Sequence, residues 1–321
     1  MESLKIAYPE AEIDWVVEKK SADLLIDHPY INECLVFERD KNIITSMKKF
    51  INLCYCIQRK KYDLVLDFHG IIKSGLISWF SKASYRYSFA PPRAQEFSHL
   101  FATYKIYLPP GITISRVEEN FELIKAVGAL PVDYWRGIEI PIAIEEEIDN
   151  YLQKTIETNK ELVLIHPAVE RPEKQWPLEY FSKLSDLLIS DGRFEVMLSW
   201  GPNQLEIVKQ VSEMMKHKVH IAPQTPTLKH LACLISRSKV FVSGDTGPMH
   251  LAWLIHHPLI AIFGGTNPIQ HAPRGPNCIS LYKGPTPFPP KMSLHQAQLA
   301  LKNISPEEVY ETILKITHAP N

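Results

Sequence analysis

The feature that most constrains the fold is the regular alternation of short apolar runs with segments of helical periodicity. Predicted strands occupy 13–17, 34–37, 64–67, 85–89 and 105–108 in the first half, and 162–166, 195–199, 219–221, 240–243 and 259–263 in the second. Helical patterns lie between them at 44–59, 71–81, 115–127, 178–189, 203–214, 227–236 and 248–256. Alternation of this kind predicts an α/β fold with parallel, doubly wound sheets.

The length of 321 residues exceeds the usual size of a single hydrophobic core, so two domains are expected. The segment 141–161 has no strand signal and is interpreted as the connection between them. We therefore predict a first domain over 1–152 and a second over 153–304. A last helix over 305–316 begins at a serine followed by proline and two glutamates, which is typical of a helix N-terminus.

Composition narrows the class of function. A formal net charge of −1 argues against nucleic acid as the main partner. The five cysteines form no C-x-x-C pair, which favours reduced thiols in the cytoplasm. No apolar run approaches the ~18 residues that a membrane span needs.

The string DTGPMH at 245–250 lies between a predicted buried strand and a predicted helix. Helix N-termini bind phosphate because their first N–H groups are unpaired and carry partial positive charge. Gly247 permits a tight turn, Pro248 suits the start of a helix, and Asp245 can face a ligand at the carboxyl edge of the sheet. His250 can donate to a phosphate oxygen or to Asp245. The alternative is an aspartate that caps the helix, with a packed histidine.

Two further residues could contact a nucleotide. Lys174, near the start of a helix, is a compact cation that could neutralise a diphosphate without a metal, with Trp176 packed under its loop. Taken alone, Lys174 could equally be a solvated surface lysine. Glu206 lies about one turn into the helix that follows 200–202, where its carboxylate could bind ribose hydroxyls or simply favour the helix dipole.

These strings together resemble the C-terminal domain of the glycosyltransferase family 9 heptosyltransferases, which have the GT-B fold. The family's signature stands here as DTGPMH at 245–250 and FGGTNP at 263–268, and its Lys-x-Trp-Pro element as KQWP at 174–177. In the first half, the stretches at 11–37 and 61–78 resemble the family's acceptor domain, and heptosyltransferase I in particular.

The resemblance implies two Rossmann-like doubly wound domains that face a cleft. The first would bind the acceptor and the second the nucleotide-sugar donor, and the segment 305–321 would pack back toward the first. The implied reaction is inverting transfer of heptose from ADP-L-glycero-D-manno-heptose to the Kdo-bearing lipid A of the lipopolysaccharide inner core. It would need neither cofactor nor metal and would take place in the cytoplasm, with peripheral contact at the inner face of the inner membrane.

The resemblance also implies residue roles. The diphosphate would be held by Lys174 and by the turn made of Asp245, Thr246, Gly247, Pro248, Met249 and His250. Lys174 would stabilise the leaving group, Asp245 would bind heptose hydroxyls and Glu206 the ribose. Lys73 would meet acidic groups of the acceptor, or is a solvated lysine on an early helix turn.

The start of the chain departs from the family pattern. Relatives open with a strand and a Gly-Asp loop that carries the general base, whereas here the first glycine is Gly70 and the first predicted strand corresponds to the family's second. The loop at 167–169 also lacks the hydroxyl side chains frequent in relatives. We therefore assign no general base, with Asp67 the first residue to test. We expect the chain as given to bind ADP without transferring heptose, and its first half to be loosely folded.

Three alternatives remain. The first is a non-catalytic nucleotide-sugar-binding fragment or assembly protein, favoured by the departure at the start. A GT-B-like sugar-nucleotide epimerase would need acid and base carboxylates in its site. A dehydrogenase is disfavoured because the chain has no G-x-G-x-x-G string. Separately, the helix over 46–61 has basic residues at both ends and could contact an anionic membrane or simply pack on its sheet.

Overall fold

The computed structural model describes residues 1–132, 137–157 and 159–318. The chain divides into two compact units, Met1–Arg136 and Gly137–Asn321. This division falls earlier than the predicted 152/153 because the segment interpreted as a connection contains helix α5 (Ile142–Thr155). Helix α5 packs on α8 (Leu228–Ser236), and Asp149 on α5 accepts a 2.7 Å hydrogen bond from Arg237 at the end of α8. Residues 319–321 of the predicted C-terminal segment lie outside the described residues.

Over the described residues 1–132, the first unit consists of short parallel strands and four α-helices. The strands are β1 (Asp14–Glu18), β2 (Glu33–Phe37), β3 (Leu64–Asp67), β4 (Tyr85–Phe89) and β5 (Tyr104–Ile106). The helices are α1 (Glu2–Ala7), α2 (Ile43–Lys60), α3 (Ile72–Phe80) and α4 (Arg116–Lys125), with 3-10 turns at Lys19–Leu24 and Ser98–Phe101.

These strands form two separate parallel sheets, one of order β1-β2 and one of order β3-β4-β5. Within residues 1–132 no hydrogen-bonded ladder joins β1 to β3. The apolar run of β3 is consequently only partly covered: Leu64 is 39% exposed, and Val65 and Leu66 are half-buried. A continuous apolar run predicts a strand that is buried on both faces. Strand β3 is not buried to that extent.

The second unit contains the main sheet. Its strands are β6 (Glu161–His166), β7 (Phe194–Leu198), β8 (His220–Ile221), β9 (Val240–Gly244), β10 (Leu259–Phe263) and β11 (Cys278–Tyr282). Besides α5 and α8, its helices are α6 (Leu178–Asp191), α7 (Leu205–Met214), α9 (Gly247–Leu254), α10 (Pro268–His271), α11 (Leu294–Lys302) and α12 (Pro306–His318), with a 3-10 turn at Pro172–Lys174. All neighbouring strands are parallel, in the order β11-β10-β9-β6-β7-β8. The predicted α/β fold with parallel sheets is confirmed.

The strand order determines where a ligand can bind. From β6 the chain proceeds outward through β7 and β8, and from β9 it proceeds in the opposite direction through β10 and β11. The direction of winding therefore reverses between β6 and β9. In open α/β sheets the loops that leave the carboxyl ends of such a pair diverge and leave a crevice. Here those loops begin at residues 167 and 245 and carry the DTGPMH and KQWP strings.

The C-terminal helix α12 is fixed to the second unit. It packs on α6, β9 and β10, and the Tyr310 hydroxyl donates a hydrogen bond to the Asp191 carboxylate. Just before α12, the Ile304 carbonyl accepts a 3.0 Å hydrogen bond from the indole of Trp176. The expected packing of this helix toward the first unit stays a prediction.

Candidate functional site

The turn after β9 leaves the N-terminus of α9 uncapped. Helix α9 begins at Gly247 with Thr246 as its N-cap residue, and the Thr246 side chain makes no capping hydrogen bond. The Thr246 Oγ1 atom is buried and has no hydrogen-bond partner within the described part of the chain. Asp245 does not cap the helix, so the alternative of an aspartate cap is wrong. The turn therefore presents unused donors in the crevice, as an anion site requires.

The crevice joins Lys174 to Asp245. The Lys174 ammonium lies 2.8 Å from Oδ2 of Asp245, and the two side chains are 21% and 4% exposed. A carboxylate this buried needs a compensating charge, so the pair is part of the local structure. Lys174 is thus not a solvated surface lysine. His250 lies on the same turn, with Nε2 4.0 Å from Oδ1 of Asp245.

The loop that carries Lys174 is held by Gln175 and Trp176. Gln175 Nε2 donates to the Pro167 carbonyl at 2.8 Å, and its Oε1 accepts from the Val169 amide at 3.2 Å. Trp176 is fully buried, with its ring at 4.7 Å from that of Phe181 in an edge-on contact. The prediction that Trp176 packs under the loop is confirmed. The loop therefore presents Lys174 from a braced segment.

Two glycines allow this loop to lie directly on the strand ends. A Cβ atom on Gly264 would lie 2.8 Å from the Glu173 carbonyl oxygen and 2.6 Å from Leu301 Cγ. A Cβ atom on Gly244 would lie 3.3 Å from the Lys174 carbonyl oxygen. At Gly264 a larger residue would push the loop away from the sheet edge, whereas at Gly244 it would crowd the loop by a few tenths of an ångström. Sequence reasoning missed this role, although a glycine directly after a buried strand was an available signal.

The histidines near the crevice are shifted toward the neutral form. Partial burial lowers the pKa of His250; Lys174 acts in the same direction and Asp245 in the opposite one. Burial lowers the pKa of His166 to about 4. His166 ends β6, and its Nδ1 lies 3.1 Å from the hydroxyl of Ser199, which follows β7. His166 thus ties two strand ends together beneath the crevice, a role that sequence reasoning did not assign.

The other two predicted residues, Glu206 and Lys73, each have an ion-pair partner of their own. Glu206 is on the first turn of α7 and is 76% exposed, with its carboxylate 2.7 Å from Lys209. It follows β7, which is two strands from β9, at the same edge of the sheet. Lys73 belongs to the first unit, where its ammonium lies 3.1 Å from Glu18 and 3.9 Å from the centre of the Phe37 ring.

The Asp67 carboxylate already has hydrogen-bond partners in its own turn. Its Oδ1 accepts from the amides of His69 and Gly70, both at 3.0 Å, and its Oδ2 accepts from Ser88 at 3.3 Å. The side chain is buried. Arg93 braces the same turn by donating to the His69 carbonyl at 2.9 Å. These contacts favour a structural role for Asp67 as the cap of this turn.

The described ranges contain no group of three or more His, Cys, Asp or Glu side chains arranged to hold a metal ion. Across the same ranges, no helix combines the length and the apolar character needed to cross a membrane.

A parallel α/β sheet with a braced lysine and an uncapped helix N-terminus at its switch point is the arrangement in which α/β proteins commonly bind phosphorylated ligands. The comparison with protein families is more specific. The family described as "Glycosyltransferase family 9 (heptosyltransferase)" matches residues 51–297, so the chain belongs to that family of glycosyltransferases.

Individual relatives agree with this assignment. The chain is 26% identical over 285 residues to the lipopolysaccharide core heptosyltransferase OpsX of Haemophilus influenzae, covering 86% of this chain and 77% of the relative. A glycosyl transferase family 9 structure from Veillonella parvula superposes with a TM-score of 0.82 at 22% identity, covering 98% of this chain and 91% of the other. The Escherichia coli heptosyltransferase WaaC with ADP-2-deoxy-2-fluoro heptose gives a TM-score of 0.71 at 23% identity, covering 98% and 93%. The predicted GT-B fold is thereby confirmed, and the chain is similar to heptosyltransferases of lipopolysaccharide core biosynthesis.

Proposed function

We propose that the protein transfers heptose, with inversion, from ADP-L-glycero-D-manno-heptose to the Kdo-bearing inner core of lipopolysaccharide. The observation that carries the proposal is the Lys174–Asp245 pair at the uncapped N-terminus of α9. Family membership gives the class of reaction. The similar WaaC enzyme has been solved with ADP-2-deoxy-2-fluoro heptose, which supports the same donor class here.

The diphosphate would bind in the crevice between the loops after β6 and β9. The first N–H groups of α9 and the Lys174 ammonium would face its oxygens. When the bond between sugar and phosphate breaks, negative charge grows on the departing ADP, and fixed donors lower the energy of that state. The buried Thr246 hydroxyl, which lacks a partner among the described residues, would donate to the same ligand.

Asp245 would act on the sugar side of the same lysine. Its carboxylate accepts hydrogen bonds, so it would bind heptose hydroxyls while Lys174 is shared between Asp245 and the diphosphate. His250, whose pKa is lowered in the free protein, would donate an N–H to the phosphate. Lys174 would supply the positive charge that a metal supplies in other transferases, so the reaction would need neither metal nor cofactor.

The two outlying residues would complete the binding of the substrates. Glu206 is exposed on the same sheet edge and would reach ribose hydroxyls. Lys73 would meet acidic groups of the acceptor, with Glu18 as its partner before the acceptor binds. The acceptor is a lipid, so we place the protein in the cytoplasm in contact with the inner face of the inner membrane.

The test is a transfer assay with ADP-heptose and a Kdo-bearing lipid A acceptor. It compares wild type with the Lys174→Gln protein. Heptosylated acceptor from wild type, and at least about tenfold less of it from Lys174→Gln, would support the proposal, because the variant loses the charge that faces the departing ADP. Binding of ADP by wild type without transfer would contradict the proposal and support the non-catalytic alternative.

A further inference from the structure

We propose that the outer face of helix α2 is a docking surface for an anionic lipid bilayer. This outer face consists of the apolar side chains of Ile44, Met47, Ile51 and Tyr55, with Lys48 and Arg59 beside them. The proposal rests on the proposed function in one respect: an enzyme with a lipid acceptor must reach a membrane surface.

Helix α2 has two distinct faces. On the inner face Cys54 and Ile57 are each 2% exposed, and the ring of Phe50 meets that of Phe37 at 6.0 Å. On the outer face the four apolar side chains are 58–64% exposed. The sequence left open whether this helix packs on its sheet or meets a membrane. In the structure the inner face is buried and the outer face is exposed, so the outer face is available to a partner.

The exposed apolar side chains form one continuous stripe. Residues 44, 47, 51 and 55 are three or four apart, so they lie above one another on the helix surface. At the usual rise of an α-helix, the stripe is about 17 Å long. Single exposed apolar residues are normal on a protein surface, whereas a contiguous apolar stripe indicates an interaction site.

The charge of α2 indicates the kind of partner. The helix contains no Asp or Glu over residues 43–60. Lys48 has no ion pair among the described residues, and the Arg59 guanidinium lies 5.7 Å from the centre of the Tyr55 ring. Two other basic residues are neutralised by the protein itself: Lys49 pairs with Glu38 at 3.0 Å, and Lys60 pairs with Asp14 at 2.8 Å. The unneutralised cations therefore lie beside the apolar stripe.

This combination fits a bilayer with anionic headgroups. Apolar side chains can enter the boundary between headgroups and acyl chains while Lys48 and Arg59 meet phosphate groups. A second copy of the chain would bring like charges together when the two stripes meet. A lipid surface satisfies both the apolar stripe and its basic edge.

The experiment is flotation of the full chain with vesicles of phosphatidylcholine, with and without phosphatidylglycerol. One variant removes the apolar stripe (Ile44→Ser with Ile51→Ser), and another reverses the charges (Lys48→Glu with Arg59→Glu). The matched control is Leu299→Ser with Lys302→Glu on α11, where both side chains are also exposed.

We expect wild type and control to float with the anionic vesicles only, and each α2 variant to lose at least about tenfold in partitioning. ADP affinity, measured in parallel, should be equal in all proteins, so that a failure at the membrane is distinguishable from a failure of the donor site. Equal flotation of wild type and both α2 variants would overturn the proposal. Absence of wild-type flotation would also overturn it. The same holds if wild type forms a dimer that is lost in the α2 variants while no protein binds vesicles.

Discussion

The ammonium of Lys174 lies 2.8 Å from Oδ2 of Asp245, and the two residues come from loops that leave adjacent parallel strands. Lys174 follows β6 and Asp245 follows β9. The pair therefore lies at the point where the winding direction of the sheet reverses. One cation is thus paired with a buried carboxylate on the turn that leads into an uncapped helix N-terminus. This arrangement makes separate predictions for the two residues.

Replacing Lys174 should weaken nucleotide binding. For Lys174→Gln we expect ADP affinity, measured by calorimetry, to fall about 10- to 100-fold, because a charge-assisted hydrogen bond to phosphate is lost. The substitution leaves the Asp245 carboxylate buried without its partner, which costs stability. The double variant Lys174→Gln with Asp245→Asn removes that unpaired charge, so a loss of ADP affinity in it is independent of stability. Lys302→Gln, at an exposed site, should bind like wild type. An unchanged affinity in a folded Lys174→Gln protein would remove Lys174 from the donor site.

Asp245→Asn should separate nucleotide binding from sugar transfer. The substitution removes the carboxylate that competes with the diphosphate for Lys174, so ADP affinity should stay equal or rise. Heptose transfer should fall, because the hydrogen-bond acceptor for the heptose is weakened. A loss of ADP affinity as large as that of Lys174→Gln would instead show that Asp245 acts by holding the lysine in place.

The location of this pair could be predicted only in part from the sequence. The DTGPMH and KQWP strings indicated the residue types, and the apolar runs of β6 and β9 indicated the strands. Periodicity does not specify which strands are neighbours, so the contact between Lys174 and Asp245 was not predictable from local patterns. The glycine at 264 could also be identified in the sequence, but the loop that packs on it could not be predicted.

His250 should make ADP binding depend on pH. Partial burial lowers its pKa in the free protein, whereas a bound diphosphate would raise it. Binding should then take up a proton, and affinity should increase as pH falls from about 8 to about 6, across the ordinary titration range of histidine. Lys174 and Asp245 are the charged groups nearest to this imidazole.

The control for this pH dependence is His250→Gln. ADP titrates in the same range, and that contribution is common to both proteins, so the difference between them isolates the histidine. Calorimetry in two buffers of different ionisation enthalpy gives the proton uptake directly. Equal proton uptake by wild type and His250→Gln would rule out this role for His250.

Tyr310 should contribute to the stability of the second unit. Its hydroxyl donates to Asp191, and Arg193 holds the pKa of that carboxyl well below its usual range, with help from Tyr310. Tyr310→Phe should lower the free energy of unfolding by about 1–2 kcal/mol in urea at neutral pH. Tyr180→Phe is the matched control, since the Tyr180 hydroxyl makes no hydrogen bond within the described residues.

The pH dependence of this effect follows from the sign of the shift. A carboxyl whose pKa is depressed in the folded state stabilises the protein above its ordinary pKa, near 3.9, and loses that contribution as pH falls. The difference between wild type and Tyr310→Phe should therefore shrink below about pH 4. A difference that stays constant into acid would mean that the hydroxyl acts by packing alone.

The fold itself was largely predictable where burial is complete. Strands β6, β7, β9 and β10 coincide with mainly apolar runs, interrupted in β7 by the buried Glu195, because both faces of the central sheet are covered by helices. Strand β11 and helix α11 were missed, since β11 is a half-buried edge strand and its apolar signal is diluted. In the first unit the strand positions were recognisable, but the division into two sheets depends on pairing between distant segments. The expectation that the first half is loosely folded remains a prediction.

Binding should be independent of divalent metal. If Lys174 provides the positive charge, EDTA should leave ADP affinity unchanged, and added magnesium should not increase it beyond the effect of magnesium on free ADP. The measurement is a calorimetric titration in each condition with Lys174→Gln in parallel. Rescue of Lys174→Gln by magnesium would indicate that a metal can replace the lysine, and an absolute requirement for magnesium in wild type would contradict the proposal.

The most direct test of the proposed donor site is a calorimetric titration of ADP and, separately, UDP into the 321-residue chain in the presence of EDTA. We expect one ADP site per chain, an affinity for UDP at least about tenfold lower, and an ADP affinity about 10- to 100-fold lower in the Lys174→Gln protein. Absence of ADP binding by the folded wild-type chain, or equal binding of ADP by wild type and Lys174→Gln, would contradict the proposed donor site.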